Sequence, residues 1–116
     1  MNDYCLYEVI GSGHFSNVYR GRKNRTLEYL AIKRIDRGQR ARLMEELEFI
    51  LGLSHPHIID FKGWYETRNN IWSIFEYCPG CDLQSFVFLS GTHQSLPLIT
   101  IKAFMLDILS GLQVCP

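Results

Sequence analysis

The first third of the chain carries strand-like patterning, and the period then changes. Tyr4 to Ile10 (YCLYEVI) is rich in Tyr, Val, Ile and Leu, which suit a half-buried strand. Gly11-Ser12-Gly13 breaks it, and Ser16 to Arg22 reads as a second strand. After the polar turn KNRT, Leu27 to Ile35 (LEYLAIKRI) reads as a third. From Arg40 to Leu53 strong helix formers dominate, which predicts a long helix. The segment SHPHI ends it, because Pro56 disfavours helical geometry at the residue before it. Ile58 to Tyr65 and Asn70 to Tyr77 are two further strand candidates joined by ETRNN. CPGC reads as a turn, Asp82 as the N-cap of a short helix LQSFVF, and SGTHQS as a loop. Leu96 to Val114 predicts a second long helix with Pro97 in its first turn and Ile101, Met105, Ile108 and Leu112 along one face. The order β-β-β-α-β-β-α-α, with short turns between the first strands, predicts an α+β fold around an antiparallel sheet.

Composition adds limits. At 116 residues the chain is one domain or a piece of one. Its apolar fraction of 47% and charged fraction of 21% fit a globular protein. The formal net charge is zero, so bulk attraction to nucleic acid or an anionic membrane is not indicated. No apolar run approaches the ~18 residues of a membrane span. The opening MNDYCLYEV lacks a basic region before an apolar stretch, so it does not read as a signal peptide, and the expected location is cytoplasmic. In that setting Cys5, Cys78, Cys81 and Cys115 are expected to be reduced and buried, and Asn24-Arg25-Thr26 is a polar turn rather than a glycosylation site.

The segment IGSGHFSNVYRG (Ile10 to Gly21) carries the first chemical signal. A P-loop needs Gly-Lys-Ser/Thr at its end, and none is present. A dinucleotide fingerprint needs its glycines to open a helix, whereas these open the strand-like Val18-Tyr19. A glycine-rich hairpin closing over ATP phosphates remains, with Gly11, Gly13 and a small Ser16 where a third glycine is usual. Glycine belongs where backbone must approach phosphate or adopt positive φ, and Gly11 and Gly13 are read in that role. Taken alone, the loop reads equally as a hairpin turn with no ligand.

Two charges break their local patterns. Ala31, Lys33 and Ile35 share one strand face, so Lys33 sits among small and apolar neighbours. Leu43, Glu46, Ile50 and Leu53 repeat at spacings of three and four, so Glu46 interrupts an apolar stripe. Buried charges need partners, and pairing Lys33 with Glu46 accounts for both. The alternative is two ordinary salt-bridge residues at the edge of the packed surface.

From Tyr4 to about Val114 the sequence resembles the N-terminal lobe of a protein kinase and the first helices of its C-terminal lobe. YEVIGSGHFSNVYRGRK, EYLAIKRID, LSHPHIIDFKGWYET and IWSIFEYCPGCDL look closest to the unc-51-like serine/threonine branch, of the Fused and RUNKEL type. The resemblance implies a five-stranded antiparallel sheet with one long helix over residues 1–77, a hinge ending at 78–81, and two C-lobe helices over 82–116. It implies that Ile10, Gly11, Ser12, Gly13, His14, Phe15, Ser16 and Val18 roof ATP and that Ile10, Val18 and Ala31 contact adenine, with Leu83 beneath. Lys33 and Glu46 would form the phosphate-positioning pair, and Phe75 the gatekeeper. Glu76 and Cys78 would offer hinge backbone to the base, and Asp82 would face the ribose or cap the short helix. His14, at the loop tip, reads as solvent-exposed. Ile50 and Phe61 would belong to the regulatory spine.

Transfer in this family also needs a catalytic-loop aspartate, a metal-binding asparagine and the aspartate of a D-F-G segment. None of these lies in the 116 residues, and Asp60 and Asp107 are not placed to substitute. The expectation is therefore an ATP clamp without transfer machinery, with Mg bound only together with those further residues, and protein substrates or regulatory partners engaged by a full-length form. A truncated lobe acting as an ATP- or partner-binding module is the second reading. Redox or metal binding through Cys78-Pro79-Gly80-Cys81 is the third, and zinc would need further ligands such as His93 and Cys115.

Overall fold

A computed structural model of the chain describes residues 3–89 and 97–115, with side chains at 87–89 not described. The expected loop at SGTHQS, and His93 within it, lie outside the described residues. Strands β1 (Tyr4–Ser12), β2 (Ser16–Lys23) and β3 (Tyr29–Asp36) come first. A 3₁₀ turn (Arg37–Gln39) leads into helix α1 (Arg40–Ile50). Strands β4 (Phe61–Glu66) and β5 (Asn70–Glu76) and helices α2 (Leu83–Leu89) and α3 (Leu98–Val114) follow. The predicted order holds, with two corrections at helix ends. Helix α1 stops at Ile50, three residues short of the expectation, with Leu51 as its C-cap. Helix α3 starts at Leu98 because Pro97 is its N-cap, in an extended conformation at ψ 142°.

All five strands form one antiparallel sheet in the order β1-β2-β3-β5-β4. Strand β3 is central, and its alternation divides the protein. On one face Leu30 and Ile32 join Ile74, all buried, with Tyr4 and Trp72 packed around them. On the other, Ile35 and Ile71 meet Leu43 and Leu47 of α1, with Met44, Phe61 and Trp64 alongside.

The sheet curls until its two edge strands touch. Tyr4 of β1 and Tyr65 of β4 meet edge to face at 5.5 Å between ring centroids, and their hydroxyls lie 3.2 Å apart. Burial and this hydrogen bond push the Tyr4 hydroxyl pKa up to about 12. Tight curling needs close approach, and Gly21 supplies it. A Cβ there would lie 2.6 Å from Ile32 Cδ1 and 2.8 Å from the Cys5 carbonyl oxygen.

Strand β4 contains an irregularity that alternation alone does not give. The register shifts between Phe61 and Gly63, and Gly63 sits at φ +146°. One residue is thereby inserted, so Phe61 and Trp64, three apart, both face α1. Phe61 packs edge to face on Phe75 at 5.3 Å.

The loop after α1 docks on α3. His55 Nδ1 accepts from the His57 backbone N–H at 3.1 Å, so a neutral ring carries its proton on Nε2 and donates to Ser110 Oγ at 3.3 Å. His57 Nε2 lies 3.3 Å from Asp107 Oδ1. Gly111 lets the helix come close, since a Cβ there would lie 3.0 Å from the His57 carbonyl oxygen.

Gly21→Ala is expected to destabilise the fold by about 1–3 kcal/mol, because overpacking outweighs the ~0.4–1 kcal/mol that loss of glycine freedom normally contributes. Thermal denaturation measures it, and an unchanged or raised midpoint contradicts the close approach. The raised pKa of Tyr4 favours the protonated, folded form: its contribution is complete below the ordinary value of 10.0 and is lost as pH rises toward about 12. A Tyr4→Phe variant is expected to lose that alkaline dependence in an absorbance-monitored titration.

Candidate functional site

The β1–β2 hairpin is tight. Gly13 N donates to Ser16 O at 2.8 Å, and Asp36 N donates to Phe15 O at 3.0 Å, tying the hairpin tip to the end of β3. Neither Gly11 nor Gly13 adopts a positive φ, so backbone conformation does not demand glycine at either position. That corrects half of the sequence argument. What remains is room at Gly11, where a Cβ would meet only Val18 at 3.7 Å, and a close approach at Gly13, where it would lie 3.3 Å from Ser16 Oγ.

Behind the hairpin lies an open cavity of about 330 Å³. His14, Phe15 and Ser16 of the hairpin line it, with Lys33 and Ile35 of β3 and Gln39, Arg42, Leu43 and Glu46 of the helical segment. Two residues 13 positions apart in sequence, Lys33 and Glu46, are thus brought to one space.

They do not pair in it. Glu46 Oε1 lies 3.7 Å from Arg42 Nε, an i,i+4 ion pair along α1. Lys33 has no ion-pair or hydrogen-bond partner among the described residues. The direct Lys33–Glu46 pair expected from the sequence is absent, and Glu46 lacks the burial that motivated it, whereas Lys33 is half-buried. The Glu46 side chain is 52% exposed. The buried face of α1 is Leu43 and Leu47, with Glu46 on its flank and Leu53 beyond the helix end. An exposed i,i+4 pair is worth only about 0.3–0.5 kcal/mol, so Arg42 holds Glu46 weakly. Arg42 and Gln39 were missed by the sequence reading, although the four-residue spacing from Arg42 to Glu46 was available to it.

The expected base-contacting residues divide into two groups. Val18, Ala31 and Phe75 lie on the Lys33 face of the sheet, since Val18 pairs with Lys33 and Ala31 with Phe75. Ile10 is 47% exposed beside the hairpin, and Ser12 ends β1. Glu76 closes β5, where its N–H donates to Asp60 O and its Oε1 accepts from Asp60 N, both at 2.9 Å. Cys78 follows in the connection to α2; it is exposed, as are Cys81 and Cys115, and Cys5 is only half-buried, so the expected burial of the cysteines does not hold. Asp82 and Leu83 instead line a second cavity of about 520 Å³ with Cys81, Phe86, Phe104, Asp107 and Ile108. Asp82 is the cap of α2: Ser85 N donates to its Oδ1 at 2.7 Å, and the hydrogen bonds from Ser85 hold its carboxyl below the ordinary value.

Other constellations do less. His55, Ser110 and Asp107 are not a nucleophile relay, because His55 Nδ1 is occupied by a backbone N–H and Asp107 meets His57 instead. No group of three or more His, Cys, Asp or Glu able to hold a metal occurs among the described residues. Cys115, one of the ligands considered for zinc, donates its thiol to Gly111 O at 3.6 Å.

Comparison with known proteins decides the family. The family described as Protein kinase domain matches residues 4–115. The chain belongs to the protein kinase family. It is 38% identical over 113 residues to the serine/threonine-protein kinase RUNKEL of Arabidopsis thaliana, covering 97% of this chain and 8% of that protein. It is 30% identical over 112 residues to the serine/threonine-protein kinase ULK4 of Mus musculus, with the same coverages of 97% and 8%. Against the serine/threonine-protein kinase ATG1b of Arabidopsis thaliana it is 34% identical over 119 aligned positions, covering 98% of this chain and 16% of that one. Among solved structures, Rad53 1-466 in complex with AMP-PNP superposes with a TM-score of 0.82 at 28% identity, over 96% of this chain and 29% of that one. The five-stranded sheet with α1 therefore matches a kinase N-lobe, and the unc-51-like resemblance holds. The chain spans less than a fifth of these curated relatives. No helix among the described residues is long and apolar enough to cross a membrane.

The capping assignment has a direct readout. The Ser85 amide proton is expected to titrate with the Asp82 carboxyl at a midpoint below the ordinary 3.8, and to lose that transition in Asp82→Ala. A midpoint at or above 3.8 by NMR contradicts the cap.

Proposed function

We propose that this chain is the ATP-binding portion of a serine/threonine protein kinase, with residues 1–77 as N-lobe, 78–81 closing the hinge and 82–116 opening the C-lobe. The observation that carries the reading is the shared cavity. The glycine-hairpin tip, the strand lysine and the helix glutamate all line it, in the order and on the elements the kinase family requires. Rad53, to which the chain is similar, was solved with AMP-PNP, which supports an adenine nucleotide as ligand.

In this reading Gly11 through Val18 cover the phosphates. Ile10, Val18 and Ala31 pack on adenine, with Leu83 beneath. Phe75 stands behind the base as gatekeeper, and Glu76 and Cys78 present hinge backbone to it. Lys33 donates to the α/β-phosphates, and Glu46 orients it once the Glu46 side chain leaves Arg42 for the strand. Releasing Arg42 costs little, because that pair is exposed. Ile50 and Phe61 act as regulatory-spine residues. Asp82, already engaged at Ser85 N, caps α2 and faces the ribose with the same carboxylate.

Phosphoryl transfer and Mg binding draw on a catalytic-loop aspartate and asparagine and a D-F-G aspartate, groups not found in these 116 residues. With them, the full protein would move the ATP γ-phosphate to serine or threonine hydroxyls of protein substrates. Without them, the chain is a nucleotide clamp. The second reading, a partner-binding lobe, is favoured by one observation. Helix α3 exposes Leu98, Ile99, Met105, Leu106, Ile108 and Leu112, each by more than half.

Lys33→Met is expected to weaken Mg·ATP binding roughly 10- to 100-fold, the equivalent of one charge-assisted hydrogen bond. Glu46→Gln is expected to weaken it less, since the free state already lacks the pair. Calorimetric titration measures both, and absence of saturable binding by wild type rejects the nucleotide reading.

A further inference from the structure

Two of the chain's four cysteines have partners in the fold. Cys5 Sγ donates to Asn24 Oδ1 at 2.9 Å, and Cys115 Sγ donates to Gly111 O at 3.6 Å. Cys78 and Cys81 are both exposed, and neither thiol has a partner among the described residues. They lie three residues apart around Pro79-Gly80, in the connection between β5 and α2.

The backbone bends between them. The chain bends at Gly80, whose φ of +105° lies in the left-handed region. A left-handed glycine after a proline suits a change of chain direction, and Gly80 makes one here as a bend without a hydrogen bond from Cys81 N to Cys78 O. Closing a disulfide sets the separation of the Cys78 and Cys81 Cα atoms through this bend. A disulfide spans Cα separations of about 4.4–6.8 Å. A Cβ built on Gly80 meets no atom within 4 Å, so the bend is uncrowded at that residue.

Both ends of the connection are anchored. Glu76 is held by the two Asp60 hydrogen bonds at 2.9 Å, and Asp82 by Ser85 N at 2.7 Å. Closing a ring between Cys78 and Cys81 therefore alters the connector without drawing on the sheet or on α2.

We propose that Cys78 and Cys81 are an oxidation site, at which a hydroperoxide makes an intramolecular disulfide that stiffens the connector beside the nucleotide cleft. One thiolate attacks the peroxide O–O bond and takes one oxygen as a sulfenic acid, and the other oxygen leaves as water after protonation. The second thiolate attacks the sulfenic sulfur, the S–S bond forms, and the hydroxyl leaves as a second water. Two thiols thus lose two electrons and two protons to one hydrogen peroxide, and a dithiol reductant reverses the result.

The test uses the full chain. After limiting hydrogen peroxide, iodoacetamide is expected to label two cysteines instead of four. The tryptic peptide holding Cys78 and Cys81 is expected to lose two hydrogens, and dithiothreitol to restore full labelling. Cys81→Ser is expected to abolish the two-hydrogen loss. A wild-type peptide that gains oxygens, stays unchanged or appears only in covalent dimers overturns the proposal.

Coupling to the cleft rests on the nucleotide reading and is read separately. Oxidation is expected to shift ATP affinity about fivefold or more in wild type and not in Cys81→Ser. Unchanged affinity in a chain carrying the disulfide overturns the coupling. A reduced chain that binds no ATP rejects the nucleotide reading instead, and the thiol count still decides the disulfide.

Discussion

The alternation of side chains along β3 is the constraint on which the rest depends. It is the central strand, paired on both sides, and its two faces serve different ends. Leu30 and Ile32 fill the inside of the curl, while Ala31, Lys33 and Ile35 face the side on which α1 packs. A slip of one residue would carry Lys33 into the position of Ile32, which is fully buried. The cost of burying an unpaired ammonium fixes the register as firmly as the gain from burying the isoleucines.

Curling the sheet completes the division. The contact between Tyr4 and Tyr65 joins the two edge strands, and Gly21 lets β2 pass close to Ile32 and the Cys5 carbonyl. One face becomes an interior and the other stays open. Helix α1 covers part of that open face with Leu43 and Leu47. What it leaves uncovered, between the hairpin tip and the helix, is the cavity where Lys33, Arg42 and Glu46 meet. The candidate site is thus the part of the sheet that the core does not use. Its charges are tolerable because water reaches them: Glu46 and Arg42 are each more than half exposed.

Much of this was legible in the sequence, for reasons that differ from residue to residue. Element order followed from local composition and from turn residues such as Gly13 and Pro56. The orientation of Lys33 followed from period two. Glu46 was correctly singled out and incorrectly buried. Spacings of three and four place Glu46 in one stripe with Leu43 and Ile50, but the packing angle of the helix makes Leu43 and Leu47 the buried pair. The bulge at Gly63 was not legible at all. Strict alternation would place Phe61 and Trp64 on opposite faces, and only the register shift against β5 brings both to α1. Asp82 had two readings in sequence, and its hydrogen bond from Ser85 N makes it a cap in this structure.

By itself the sequence determined the residue types, the strand and helix order, and the family, because these depend on local propensity and on motifs with fixed spacing. The tertiary structure alone decided that Lys33 and Glu46 line one cavity without pairing, that the sheet edges join through two tyrosines, and that Asp82 and Leu83 stand apart from the Lys33 cavity. Those outcomes depend on curl, packing angle and distances between residues far apart in the chain. Periodicity says which face a side chain takes, but not how near another element comes to it.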